Sequence, residues 1–431
     1  MDPNTAWAFD ETLPVPIQLG GGEGFSVFTK TTDSDGRRIV SLENEELWIG
    51  GIDLHLGTTT EWWNDGDLYC KAVTVAPSLV DDEYLFDESG KHFVKAEIDP
   101  ETGRVKFKNG NNDINRYYPY SETKKIKDGE NTKLMHTGNN YSFVAYHTPT
   151  LSGTAQTIVN GSRLLRQFQL NTANKTTTTN NMDILWARVD AKPIGNHPEE
   201  LAADDEANNG YLRGFNARYQ RYLAAQHEDR QLTEEDLPML KFQHVASLIH
   251  LFVVAKDDAA EESFNGDVTI DKVKINNKIQ YLALDLISGE IIPDPTFVES
   301  SNKKQAELVS YYAPNSTYFP DPIHPLANVA QEYSGGFFVM PGARTDEQRI
   351  TVNFMIQGIE KPGPFEVDLP LPMYEDSVTG ETVNGYQPGV EYNYYISIDA
   401  TEQIVLRTSL DNWDATSGTG QLSGAEDIVI E

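Results

Sequence analysis

The sequence predicts an all-β protein of two tandem sandwiches, and three observations carry that expectation. The second half is a succession of apolar, β-branched runs with a period near two, clearest at residues 240–254 (LKFQHVASLIHLFVV), 337–341 (FFVMP) and 391–413 (EYNYYISIDATEQIVLRTSLDNW). Gly, Pro, Asn and Asp bound these runs, and the strand–helix–strand alternation of a parallel nucleotide-binding sheet is missing. The 431 residues suffice for two ordinary cores. No repeat of solenoid or propeller period is present.

Residues 13–19 (LPVPIQL) are apolar but interrupted by Pro14 and Pro16, which remove ladder donors, so an edge or loosely held strand is expected. Gly20, Gly21 and Gly22 then break the chain, and alternation resumes over residues 25–32 until the turn signal Asp33-Ser34-Asp35-Gly36 leads into RRIVSL. Strands are expected at 47–56 and 68–76, with TTTEWWNDGD between them. Residues 97–108 read as a hairpin around Pro100-Glu101-Thr102-Gly103, and residues 141–146 (YSFVAY) as a further strand.

A polar low-complexity loop at 171–181 precedes DILWA at 183–187, and from 191 the chain turns charged and alanine-rich. Within that stretch Tyr211, Phe215, Tyr219, Tyr222 and Leu223 recur at helical spacing, predicting a helix near 210–226 that covers a sandwich end or, alternatively, serves in recognition. Strands are then expected at 242–255, 268–275, 279–286, 308–312, 336–340, 350–356, 365–369, 391–398 and 404–409. The expected organisation is a first β-sandwich over 1–190, a helical charged insertion or linker over 191–237, a second sandwich over 238–413 and a tail over 414–431.

Asp and Glu number 66 against 34 Lys and Arg, a formal charge of −32, and this field opposes binding to nucleic acid or an anionic membrane surface. Cys70 is the single cysteine, so an intramolecular disulfide and a multi-cysteine zinc site are excluded; in DLYCKAVTV it reads as a small buried thiol. No run reaches the ~18 to 20 apolar residues a spanning helix needs. The start, Met-Asp-Pro-Asn, lacks signal-peptide character, which leaves a cytosolic chain or a mature form whose export signal has been removed.

Motifs for nucleophilic, metalloprotease, phosphate-loop and dinucleotide chemistry are absent from the sequence. His244 and His250 fall on one face of the expected 242–252 strand, where six residues separate them by roughly 20 Å, too far to share a metal. The acidic turns at 33–36 and 64–67 lack the ligand spacing of a calcium-binding helix–loop–helix and read as turn chemistry. Carboxylates are too many for any pair to single out a glycosidase. Trp62 and Trp63 beside Asn64 can stack on sugars from a loop, or one can face the core. No cofactor, metal or catalytic residue is therefore assigned.

The order of YSFVAY at 141–146, DILWA at 183–187, Phe242 with His244 and Ser247, Pro341 after an apolar strand, YNYYISI at 392–398 and Trp413 resembles the fimbrillin family of Bacteroidales, the subunits of type V pili and related adhesins. Each motif is a strand fragment; their order over most of the chain makes the resemblance. The charged insertion after 191 and the sparse landmarks before Tyr141 depart from it. The resemblance implies two transthyretin-like β-sandwiches, export as a lipoprotein to the outer membrane surface or fimbrium, and no enzymatic activity. It also implies polymerisation in which a trypsin-like protease removes an N-terminal strand and a strand of the next subunit takes its place.

Three features bear on that mechanism. Residues 414–425 form a flexible linker, and Ile428, Val429 and Ile430 a short strand, the two parts a donor requires, or else a frayed tail. Arg37 and Arg38 lie in a turn that a protease can reach, or in a plain hairpin. The expected partners are other pilus subunits and a surface receptor or glycan, with membrane contact only through a lipid anchor absent from this sequence. The reading from another class is a surface glycan-binding lipoprotein using Trp62 and Trp63; a glycosidase comes third.

Overall fold

A computed structural model describes residues 12–21, 31–32, 38–39, 47–54, 94–99, 102–109, 111–118, 120–128, 131–136, 140–147, 157–160, 163–169, 184–189, 215–217, 219–221, 237–263, 268–277, 281–295, 306–307, 326–327, 330–332, 337–343, 350–356, 365–376, 379–398, 404–412 and 428–430. These residues are overwhelmingly strand, arranged in several sheets, with little helix.

The largest sheet runs Gln243–His244, Leu185–Val189, Asn140–His147, Leu47–Leu54, Val94–Ile98, Val105–Asn109 and Asn112–Ile114, each pair antiparallel. Its centre is Asn140–His147 (NYSFVAYH), whose Tyr141, Phe143, Val144, Ala145 and Tyr146 are all buried. Aromatic and β-branched residues on both faces suit a strand covered on both sides.

The second sheet runs Gln331–Glu332, Ser247–Ala255, Val390–Ile398, Ile404–Asn412 and Ile428–Ile430, and Phe337–Val339 also pairs with Ser247–Ala255. Ser247–Ala255 and Val390–Ile398 are parallel neighbours, with Ile249 beside Tyr392, Leu251 beside Tyr394 and Val253 beside Ile396. All six are buried, so the period of two puts one continuous apolar face into the core.

The 242–255 run is not one strand. Gln243–His244 belongs to the first sheet and Ser247–Ala255 to the second, and the chain crosses between them at Val245 and Ala246. Backbone bonds hold both crossing residues: Val245 N–H donates to the Ile184 carbonyl at 3.0 Å, and Gly389 N–H to the Ala246 carbonyl at 2.9 Å. His244 and His250 therefore sit on different sheets, not on one strand face. The expected strand at 308–312 lies outside the described residues, as does the one at 68–76.

Smaller sheets complete the architecture. Thr157–Asn160, Arg163–Gln169, Tyr281–Asp285 and Ile291–Pro293 form one, and Ala306–Glu307, Val268–Asn277, Ile350–Ile356 and Phe365–Asp368 another. Pairing of Arg163–Gln169 with Tyr281–Asp285 joins segments from both sides of 191–237, and Trp186 Nε1 and Arg188 Nη1 donate to the Leu286 and Ile287 carbonyls. One hydrophobic cluster accordingly contains Phe143, Ala187, Phe215, Leu240, Leu282 and Leu284.

Of the expected 210–226 helix, Ala217 and residues 219–221 are helical, with the Asn216 side chain capping the Tyr219 N–H at 2.8 Å. Tyr211, Tyr222 and Leu223 lie outside the described residues. A helix not expected from periodicity spans Asp258–Ser263, where Asp257 Oδ1 accepts from Ala260 N–H at 2.8 Å.

Three hairpin turns share one construction. Asp99, Asp285 and Asp376 each accept a main-chain bond from a glycine four residues on, at 2.8 Å in all three, and donate to the carbonyl after that glycine. Gly103, Gly289 and Gly380 hold φ of 64°, 79° and 69°, the left-handed region that closes a turn at little cost only for glycine. Thr102, Ser288 and Thr379 each place a hydroxyl where the N–H two residues on points at it.

Candidate functional site

The segment before the first sheet forms the most distinctive site. Val15, Ile17 and Leu19 alternate into the core at 2%, 5% and 1% exposure, while Leu13 at its start is 42% exposed. Ile17 N–H donates to the Arg116 carbonyl at 2.7 Å, Tyr118 N–H to the Val15 carbonyl and Val105 N–H to the Leu19 carbonyl, each at 3.0 Å. On its other side Gly20 N–H donates to the Pro238 carbonyl, and Gly20–Gly21 pairs in parallel with Met239–Leu240.

The segment is thus neither loosely held nor an ordinary edge strand; it fills a slot. The sequence reading misjudged Pro14 and Pro16. The bonds toward 104–118 use the carbonyls of Val15 and Leu19 and the N–H of Ile17, so the donors that the prolines lack are not needed there. Of the glycine run, Gly20 and Gly21 continue the pairing, and Gly22 lies outside the described residues. Gly20–Gly21 is a strand, and a Cβ on Gly21 would lie 2.6 Å from Ile98 Cδ1, so a larger residue there would have to turn the end of the Ile98 side chain aside.

The slot is lined by Tyr118, whose ring lies 5.8 Å from Tyr141 and 6.5 Å from Phe143. Complete burial pushes its phenol well above the usual tyrosine range, so it stays neutral. Buried His136 fixes the entrance: its Nε2–H donates to the Leu13 carbonyl at 2.7 Å. Sequence reasoning missed both residues, and nothing in their local pattern marked them.

Ile428, Val429 and Ile430 form a strand on the edge of Ile404–Asn412, in register with Leu406, Val405 and Ile404 respectively. The ladder is three residues long against the nine of its neighbour. Arg38 opens a two-residue strand paired with Thr31–Thr32, so a hairpin is present there; Arg37 lies outside the described residues, as do Trp62 and Trp63. Among the described residues no three His, Cys, Asp or Glu side chains come together as a metal site, and no helix is long and apolar enough to cross a membrane.

The class these features define is an all-β protein with one apolar segment seated in a slot of its own core and a short strand laid on an outer edge. No family model matches the chain, and no curated protein matches it. Among solved structures it is similar to a protein of Bacteroides uniformis assigned to cell adhesion, at 11% identity and a TM-score of 0.43 over 93% of this chain and 98% of that one. It is also similar to a tip fimbrial protein of Porphyromonas gingivalis, at 11% identity and a TM-score of 0.35 over 92% and 99%. A third likeness is to the fimbrial anchor protein of the same organism, at 7% identity and a TM-score of 0.29 over 93% and 98%.

Proposed function

We propose that this chain is a non-enzymatic surface pilus subunit or adhesin that assembles by protease-triggered strand exchange. The observation that carries the reading is the slot: three consecutive alternate side chains, Val15, Ile17 and Leu19, buried in the core by a segment that precedes every strand of the main sheets. Burying each is worth about 1.5–3 kcal/mol, so an emptied slot is strongly driven to take another apolar strand of the same alternation. Ile428 and Ile430 share one face of the tail strand and supply two such side chains, and a three-residue ladder at an edge is cheap to release.

In this reading cleavage at Arg37 or Arg38 separates residues 13–21 from the body of the molecule, and the tail of a neighbouring subunit occupies the slot. The partners are other pilus subunits, and the location is the outer membrane surface or fimbrium. We place two transthyretin-like sandwiches in the chain, with the strands at 281–293 completing the first, because they pair with 163–169 and contribute to its core.

The test is digestion of the purified chain with a trypsin-like protease, followed by light scattering, alongside a form truncated after Trp413. Cleavage near Arg38 followed by polymers that require the tail is the expected result. Cleavage without polymers, or polymers formed equally well by the truncated form, would overturn strand exchange through this tail.

A further inference from the structure

The burial pattern of the slot restricts how a tail strand can enter it. Positions 15, 17 and 19 face the core, Leu13 is 42% exposed, and Pro14, Pro16 and Gln18 are half-buried. The tail reads EDIVIE from Glu426, so a strand there sends Glu426, Ile428 and Ile430 to one face and Asp427, Val429 and Glu431 to the other. Turning the second set inward seats Val429 only together with a carboxylate, which excludes every register of that parity.

Pro16 and Tyr117 form an antiparallel bridge, which sets position 15 opposite Tyr118 and position 17 opposite Arg116. A replacing strand that runs in the same direction meets the same main-chain partners: His136 Nε2–H and Tyr118 N–H for the carbonyls of positions 13 and 15, and the Arg116 carbonyl for the N–H of position 17. These bonds hold a strand without choosing its register, so the side chains choose. Two registers seat both isoleucines. With Ile428 at 17 and Ile430 at 19, Glu426 falls at position 15, where Val15 is 2% exposed, and Glu431 at position 20, where a Cβ runs into the Met239 thioether. With Ile428 at 15 and Ile430 at 17, Glu426 falls at the exposed position 13, and Asp427, Val429 and Glu431 fall at half-buried positions from which an acidic side chain reaches water.

We infer that the slot takes the tail of a second copy in the latter register, with Ile428 in the place of Val15, opposite Tyr118, and Ile430 in the place of Ile17, opposite Arg116. The inference rests on the strand exchange proposed above and adds to it the pairing and the residue that sets it. Glu426, two positions before the first isoleucine, stops the strand from sliding two residues deeper, because a carboxylate in the place of Val15 would be cut off from water without its hydration being replaced.

The experiment uses two preparations of the full chain, both with Cys70→Ser. One carries Tyr117→Cys, and the other carries Val429→Cys or Asp427→Cys in its tail. They are mixed after cleavage by the trypsin-like protease, oxidised mildly, and the disulfides between copies are identified by mass spectrometry. Directly opposed residues of a non-hydrogen-bonded pair lie about 4.5 Å apart at Cα, within disulfide reach, so Tyr117→Cys traps whichever tail residue occupies position 16. Val429→Cys should be trapped about tenfold more than Asp427→Cys, and uncleaved chain should give neither. Trapping mainly through Asp427→Cys, or equally through both, would overturn the register and leave strand exchange standing; absence of polymers from the parent chain would overturn both. If the Tyr117→Cys chain does not fold, Glu426→Leu decides, since it leaves the body of the molecule unchanged. Its polymers should form within about twofold of the parental rate, because position 13 is exposed. A gain of about tenfold or more would put residue 426 in the place of Val15 and overturn the register.

Discussion

Truncating Ile17 to alanine should cost the folded chain about 2–5 kcal/mol, although it lies in a segment that contributes a single isolated bridge, Pro16 to Tyr117, before Gly20. The magnitude follows from position. Ile17 is 5% exposed between Val15 and Leu19, and it belongs to the cluster that includes Phe107, Tyr118 and Phe143, so deleting its side chain leaves a cavity rather than a surface gap. Leu13 is the internal control: it shares the segment but is 42% exposed, and its alanine variant should stay within about 0.5 kcal/mol of the parent. Urea unfolding followed by tryptophan fluorescence and far-ultraviolet circular dichroism measures both, with an unchanged m-value required for comparison. Equal effects of Ile17→Ala and Leu13→Ala would refute the slot, and with it the driving force for replacing one strand by another.

The three equivalent turns should respond unequally to alanine. Gly380→Ala adds a Cβ into open space and carries only the left-handed strain, about 1–2 kcal/mol, whereas Gly289→Ala also brings a Cβ within 2.6 Å of Trp186 Cε3 and should cost clearly more by thermal melting. Tyr392→Phe removes the oxygen that accepts from Gln387 N–H at 2.8 Å and should cost about 1–2 kcal/mol in denaturant titrations. Burial pushes the Tyr392 phenol up to about 12, against 10 for the free group. Above pH 10 the unfolded chain releases this proton and the folded chain holds it, so stability falls from pH 10 to about 12, and Tyr392→Phe should flatten that fall.

The sheets were legible wherever alternation was strong and bounded. Asn140–His147, Leu185–Val189 and Val390–Ile398 stand where YSFVAY, DILWA and YNYYISI place strands, because burial on at least one face leaves a period of two in the sequence. The hairpin Tyr120–Asp128/Asn131–His136 went unread because its strands are lysine-rich; Asp128-Gly129 before Asn131 was the available signal. The crossing at Val245 and Ala246 left no trace, since a strand that changes sheets without a turn keeps its apolar pattern. The candidate site was half legible: the apolar run at 13–19 was visible, but its prolines suggested weakness, and only tertiary pairing shows that their missing donors are not required.

The slot also sets an order in time. Residues 13–21 are made before everything they pair with, at 103–105, 116–118 and 238–240, so their seat does not exist until some 220 further residues have followed. Contacts of such sequence separation form late, because the intervening loop must be closed before they contribute. The rest of the first sheet can meanwhile pair without them. Each molecule therefore passes, once and early in its life, through a form with the seat open and its own opening segment still outside. A segment of another chain arriving in that interval would compete for the seat, so holding copies apart until folding is complete is a requirement that the topology itself imposes.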